Sequence, residues 1–219
     1  MNLIVISELF PPEETSTAYI MGEITKTLSD KYNVTIVCGP EVYDQNKLTV
    51  LPKSSLIAGV TTIRVKGIKE NKANKLSRIR KFLLMSWRLY KASKKVINKG
   101  DKVLLVSNPF PLLILMAFHR KKMDYEISFL AHDLFPEPLL MRFKLPNLVY
   151  RQCLNIFNRS YARMDKIISL GRDMTDVLRE KTMPYNPNLE IIQIENWGDI
   201  NSIYPMDTHS DSDKITIEY

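Results

Sequence analysis

Leu3-Ile4-Val5-Ile6 is an unbroken apolar run at the start of the chain. Successive side chains of a strand point to opposite faces, so four apolar residues in a row demand cover on both faces of their sheet. That is the situation of a parallel sheet sandwiched between helices. Outward from this run the pattern alternates. Short apolar stretches predict strands over 3–7, 34–38, 62–65, 102–107, 126–131, 166–170 and 189–194. Longer stretches with helical spacing predict helices over 17–30, 75–98, 111–122, 147–164 and 172–181. Strand-helix alternation makes parallel pairing the natural outcome. The expected fold is α/β, a doubly wound, mostly parallel, Rossmann-like sheet.

One such domain accounts for residues 1–197. A polar stretch over 198–213 reads as a linker, and Lys214-Ile215-Thr216-Ile217-Glu218-Tyr219 alternates like a strand. A lone strand cannot bury its apolar side. The expectation is therefore the first strand of a second, carboxyl-terminal domain that this chain lacks. The region over 40–59 has no clear period and is expected to be an irregular excursion.

Composition narrows the class. The 219 residues are 45% hydrophobic and 25% charged, as in an ordinary globular protein. Two cysteines, Cys38 and Cys153, are too few for a disulfide framework, and His119, His132 and His209 are not at ligand spacing, so no metal is expected. The amino terminus enters a strand without a basic-then-apolar leader, which points to the cytoplasm. The apolar stretch over 110–118 is nine residues and contains Pro111, whereas a membrane span needs about 20.

The net charge of +7 comes from one segment. Between Arg64 and Lys102 stand fourteen Lys/Arg and only two acids, Glu70 and Asp101. On a helical wheel over 75–99, Ile79, Phe82, Leu83, Trp87, Leu89, Tyr90 and Val96 form an apolar arc that should pack on the sheet. Lys81, Arg88, Lys91, Lys95 and Lys99 gather on the other side. This basic stripe reads either as a solvated face or as a surface for an anionic membrane, where each Lys or Arg gives about 1 kcal/mol, and the membrane is the expected partner. Nucleic acid is not the expected partner, since exposed aromatics are not interleaved with the charges.

Ligands of such a sheet bind beyond the carboxyl ends of its strands. Three loops lie there. The first, Glu8-Leu9-Phe10-Pro11-Pro12-Glu13-Glu14-Thr15-Ser16-Thr17, offers Thr15, Ser16 or Thr17 as a helix cap beside free N–H groups that suit phosphate. The second begins at Asn108. The third, His132-Asp133-Leu134-Phe135-Pro136-Glu137, ends an apolar strand with a histidine aimed at the crevice, with Asp133 or Glu137 near enough to orient it. A further corner, Ser169-Leu170-Gly171-Arg172, has a glycine for a tight turn and an arginine for an anion. There is no G-x-G-x-x-G, so a dinucleotide site is not expected.

Taken together, Ile4-Val5-Ile6-Ser7 with Phe10-Pro11-Pro12-Glu13, Leu28-Ser29-Asp30, Val34-Thr35-Ile36-Val37-Cys38-Gly39-Pro40, the His132 to Glu137 turn and Ile194-Glu195-Asn196-Trp197-Gly198-Asp199 resemble the amino-terminal domain of a bacterial family 4 glycosyltransferase of the GT-B fold. The resemblance covers nearly the whole chain and is nearest to the members that build surface polysaccharides. It departs in the first loop, where Glu14-Thr15-Ser16-Thr17 stands in place of the usual Gly-Gly or Gly-Thr pair. The resemblance implies a retaining transferase that moves a sugar from a nucleotide-sugar donor to a lipid-linked saccharide, peripheral on the inner face of the membrane. The nucleotide sugar is then a substrate, and no cofactor or metal is implied. His132 would be the catalytic contact to the donor sugar. Thr15, Ser16, Thr17, Asn108, Asp133, Glu137, Arg172 and Asn196 would line the substrate cleft, with Asn196 and Trp197 at the hinge to the missing domain. The same architecture would also serve a nucleotide-sugar epimerase or a non-catalytic assembly module.

Overall fold

A computed structural model describes residues 1–41, 57–71, 73–138 and 146–198. Most of the expected excursion over 40–59, nearly all of the 198–213 linker and the strand over 214–219 lie outside the described residues.

The described residues form one seven-stranded sheet, entirely parallel. Its strands are β1 (Asn2–Ser7), β2 (Asn33–Cys38), β3 (Val60–Arg64), β4 (Lys102–Val106), β5 (Glu126–Ala131), β6 (Lys166–Ser169) and β7 (Glu190–Gln193). The helices are α1 (Ser16–Ser29), α2 (Lys75–Ser93), α3 (Pro111–Arg120), α4 (Asn147–Tyr161) and α5 (Arg172–Thr182). The strand order is β3-β2-β1-β4-β5-β6-β7. The chain therefore winds outward from β1 to β3, then returns to the other side of β1 and winds the opposite way. That reversal leaves the crevice between the carboxyl ends of β1 and β4 unbridged by a loop, the usual ligand position in such sheets.

The apolar run that suggested this fold divides between two cores. Ile4 and Ile6 face one side, with Val103, Leu105, Ile127, Phe129 and Ile167. There they meet Met85 and Leu89 of α2, Leu112 and Met116 of α3, Tyr161 of α4 and Leu178 of α5. Leu3 and Val5 face the other, with Val34, Ile36, Leu104 and Leu130, against Met21 of α1. Each large aliphatic side chain buried in this way stabilises by about 1.5–3 kcal/mol. Cys38 belongs to the second core and Cys153 is half-buried on α4; both are free thiols.

Local signals fix the helix starts. Thr15 caps α1, its Oγ1 accepting the Ala18 N–H at 3.2 Å. Asn74 caps α2 through Oδ1, which accepts the Leu76 and Ser77 N–H groups. Pro111 opens α3, where no N–H is needed. The helix expected to run to residue 98 ends at Ser93, because residues 94–97 tighten into turns that tuck Ile97 into the core. Among the described residues no helix is long and apolar enough to cross a membrane.

The main correction concerns α2. Lys81, expected on a membrane-facing stripe, is buried, with its ammonium 3.2 Å from Glu70 and 3.8 Å from Glu8. Arg88 is half-buried and donates to the carbonyls of Lys66 and Gly67. Lys91, Lys95 and Lys99 are exposed as expected. Leu83 and Trp87, expected in the core arc, are instead half or more exposed. The buried Glu8 and half-buried Glu70 carboxyl groups draw Lys81 inward, and Met85, Ser86 and Leu89 occupy the face that meets the sheet.

Candidate active site

Three loops converge at the carboxyl edge of β1, β4 and β5, and each contains a cis X-Pro bond: Pro11-Pro12, Asn108-Pro109 and Phe135-Pro136. Their backbones are tied together at the switch point. The Glu8 N–H donates to the Asn108 carbonyl at 3.5 Å, and the Glu8 carbonyl accepts the Gly39 N–H at 3.0 Å. Gly39 is required by that approach, since a Cβ there would stand 2.4 Å from the Glu8 oxygen. Arg64, at the end of β3, reaches over to donate to the carbonyls of Gly39 and Pro11. The first loop is thus held from β2, β3 and β4 at once.

His132 sits immediately beyond β5, half-buried. Burial pushes its pKa below the usual histidine value, and the Asp133 carboxylate offsets this only in part. Nε2 is buried and has no protein partner. A neutral imidazole with an unused ring nitrogen is suited to making one hydrogen bond to a ligand rather than to carrying a charge.

Sequence reasoning missed what places this histidine. Ser107, the residue after β4, is buried, and its Oγ accepts the backbone N–H groups of both His132 and Asp133 at 3.2 Å. Tyr161 of α4 holds the next turn, accepting the Phe135 N–H at 3.0 Å, while Phe110 stacks on Phe135 at 4.7 Å between ring centroids. The signal for Ser107 was a polar residue closing an apolar strand, which periodicity reads as the strand's end.

The structure sorts the remaining expected residues. Thr15 spends an acceptor on its helix cap, Ser16 is exposed and Thr17 half-buried at the opening of α1. Asn108 lies at the crevice with its carbonyl used by Glu8. Asp133 is exposed. Glu137 forms an ion pair through Oε1 with buried Lys181 of α5, which anchors the turn after β5, while its Oε2 has no hydrogen-bond partner. Arg172 is exposed at the first position of α5. Gly171 is the extended N-cap in the two-residue corner between β6 and α5, with open space around it, so the corner is tight as expected but does not require a glycine. Asn196 is exposed and lines, with Trp197, Leu104, Leu130, Ile168 and Leu170, an apolar groove of about 400 Å³. That groove runs along the α1 side of the sheet, apart from His132 and Ser107.

Glu8 was also missed. Its side chain is fully buried, both carboxylate oxygens lack a hydrogen-bond partner, and burial pushes its pKa up to about 7 despite the Lys81 ammonium. Glu70, bonded to Arg78 at 2.8 Å, closes the network.

No family model matches the chain. In sequence it is similar to the probable glycosyltransferase WbjE of Pseudomonas aeruginosa, 24% identical over 210 residues that cover 94% of this chain and 50% of the relative. The chain thus spans about half the length of that relative. In fold it is similar to the N-terminal domain of Candida albicans trehalose-6-phosphate phosphatase, with a TM-score of 0.60, 11% identity and coverage of 89% of this chain and 48% of that one. An E. coli trehalose-6-phosphate structure bound with UDP-2-fluoro glucose superposes with a TM-score of 0.55 at 14% identity, covering 88% and 48%. The α,α-trehalose-phosphate synthase of Burkholderia vietnamiensis gives 0.53 at 10%, covering 89% and 48%. The chain has the architecture of one half of a GT-B glycosyltransferase, and its sequence is similar to that of a probable bacterial glycosyltransferase.

Proposed function

We propose that this chain is the amino-terminal, acceptor-side half of a retaining glycosyltransferase of surface-polysaccharide synthesis. It works with a carboxyl-terminal domain to move a sugar from a nucleotide donor to a lipid-linked saccharide at the inner face of the cell membrane. The observation that carries the reading is the similarity to a probable glycosyltransferase across 94% of the chain. The E. coli structure of the same fold holds UDP-2-fluoro glucose, the chemical class of donor proposed here.

In this reading the donor sugar sits over the carboxyl ends of β4 and β5. His132 makes a hydrogen bond to it near the anomeric carbon, through the unpartnered Nε2. A contact that tightens as charge develops lowers the barrier without any proton leaving the imidazole. Thr15, Ser16 and Thr17 line the acceptor side, Asn108 and Asp133 flank the histidine, and Arg172 offsets phosphate charge. Asn196 lies at the hinge to the second domain, and diphosphate charge is met by side chains and helix ends with no metal. Glu137 acts through Lys181 to hold the His132 turn.

Kinetics of His132→Ala in the full-length enzyme test this. Turnover should fall about a hundredfold, with donor affinity little changed and the fold intact. Near-normal turnover in a stable variant would make His132 structural and move the chemistry to the Thr15 to Thr17 loop.

A further inference from the structure

The outward side of α2 is not the polar surface that a helix on a soluble domain usually presents. Leu76, Leu83, Leu84 and Trp87 are 75%, 55%, 41% and 50% exposed. Arg80, Lys91, Lys94 and Lys95 are exposed beside them. At about 100° per residue the six of these positions on α2 fall within an arc of about 100°, opposite Met85 and Leu89, which meet the sheet, and Lys94 and Lys95 follow in the turns just past the helix end. Single exposed apolar residues are common on proteins, but a leucine and tryptophan ridge along successive turns of one helix marks a contact surface. No acidic residue occurs between Lys75 and Lys99, so the helix itself contributes only positive charge beside the ridge.

That combination fits an anionic bilayer better than a protein partner. Basic side chains at the flanks can lay their methylene stems over the ridge and extend their charges to lipid phosphates. Tryptophan, apolar with one N–H donor, is suited to the boundary between headgroups and acyl chains. The helix lies on the outer surface of its layer, with its opposite side fixed to the core, so it can present the ridge without unfolding anything.

We propose that this side of α2 lies flat in the interface of an anionic membrane, with Leu83, Leu84 and Trp87 entering the acyl boundary and Arg80, Lys91, Lys94 and Lys95 on the lipid phosphates. Docking then depends on insertion as well as charge. The inference deepens the proposed function, on which its biological meaning rests, by keeping the domain that would receive a lipid-linked acceptor on the bilayer that holds it. A test without sugar or nucleotide separates the two.

The chain has two tryptophans, so Trp197→Phe leaves Trp87 as the sole emitter. With vesicles of phosphatidylglycerol and phosphatidylcholine in equal parts, Trp87 emission should move to shorter wavelength and be quenched by lipids brominated along the acyl chain. A Leu83→Gln/Leu84→Gln variant should melt like the parent yet bind at least about tenfold more weakly, at low and high salt. An Arg80→Gln/Lys91→Gln variant should bind these vesicles several-fold more weakly with a shallower salt dependence. Three outcomes overturn the proposal: no binding, bound protein with Trp87 neither shifted nor quenched, or leucine variants that bind as the parent does. A lipid-independent dimer abolished by the leucine changes would assign the ridge to a second copy and overturn it as well.

Discussion

Ser107 and Glu8 show how a few buried polar atoms set the geometry of the crevice. Ser107 Oγ is the acceptor for two successive N–H groups, so Ser107→Ala leaves two part-buried donors without that acceptor. The expected cost is about 1–3 kcal/mol, with faster amide exchange confined first to His132 and Asp133, read by hydrogen exchange. For Glu8 the sign of the pH dependence follows from its raised pKa. The folded protein retains the proton between pH 4.5 and about 7 while the unfolded chain releases it. Stability therefore falls across that window as pH rises, and the full cost stands above it. Around the carboxyl group the charged neighbours are Lys81 of α2 and Glu70 before it. Glu8→Gln should flatten the profile and be more stable than the parent at about pH 8, by up to about 3 kcal/mol, with the two converging toward pH 4.5. Thermal melts across pH check this, and identical profiles would mean that Glu8 does not titrate in the window. The position of His132 just past a strand was legible in the sequence because an apolar run ended at it. Ser107 and Glu8 were not, because what distinguishes them is a partner, or the lack of one, from another strand.

At the scale of elements, the order of strands and helices was legible because both faces of the sheet are apolar and the period changes sharply between elements. The orientation of α2 was not. Lys81 and Arg88 lie on the flank of the wheel, where a cation turns inward only if carboxylates or carbonyls await it. Those groups, Glu8, Glu70, Lys66 and Gly67, come from other segments. The correction predicts a contrast. Lys81→Glu places a third carboxylate in a buried site and should destabilise by about 3–5 kcal/mol. Lys91→Glu, on an exposed position of the same helix, should stay within about 0.5 kcal/mol. Denaturant unfolding of the two variants measures it, and equal stabilities would return Lys81 to the surface. Gly171 carries a similar lesson, since the corner it occupies is extended and would accept any residue, whereas the close approach that needs glycine is at Gly39.

The whole molecule joins a crevice built at the β1 and β4 switch point to a helix whose outer ridge exposes Leu83, Leu84 and Trp87. It leaves half of the proposed interdomain site to a second domain. With a seven-stranded sheet and two packed cores among the described residues, the 219 residues are expected to fold alone. The most direct test is incorporation of labelled sugar from a panel of nucleotide sugars into bacterial membrane lipid extract. The 219-residue chain and the same chain joined to a second domain at its carboxyl end are compared side by side. The account predicts label in lipid from at least one donor with the longer protein and none with the 219 residues, although these remain folded. Transfer by the 219 residues alone, or release and isomerisation of the sugar without transfer by the longer protein, would contradict it.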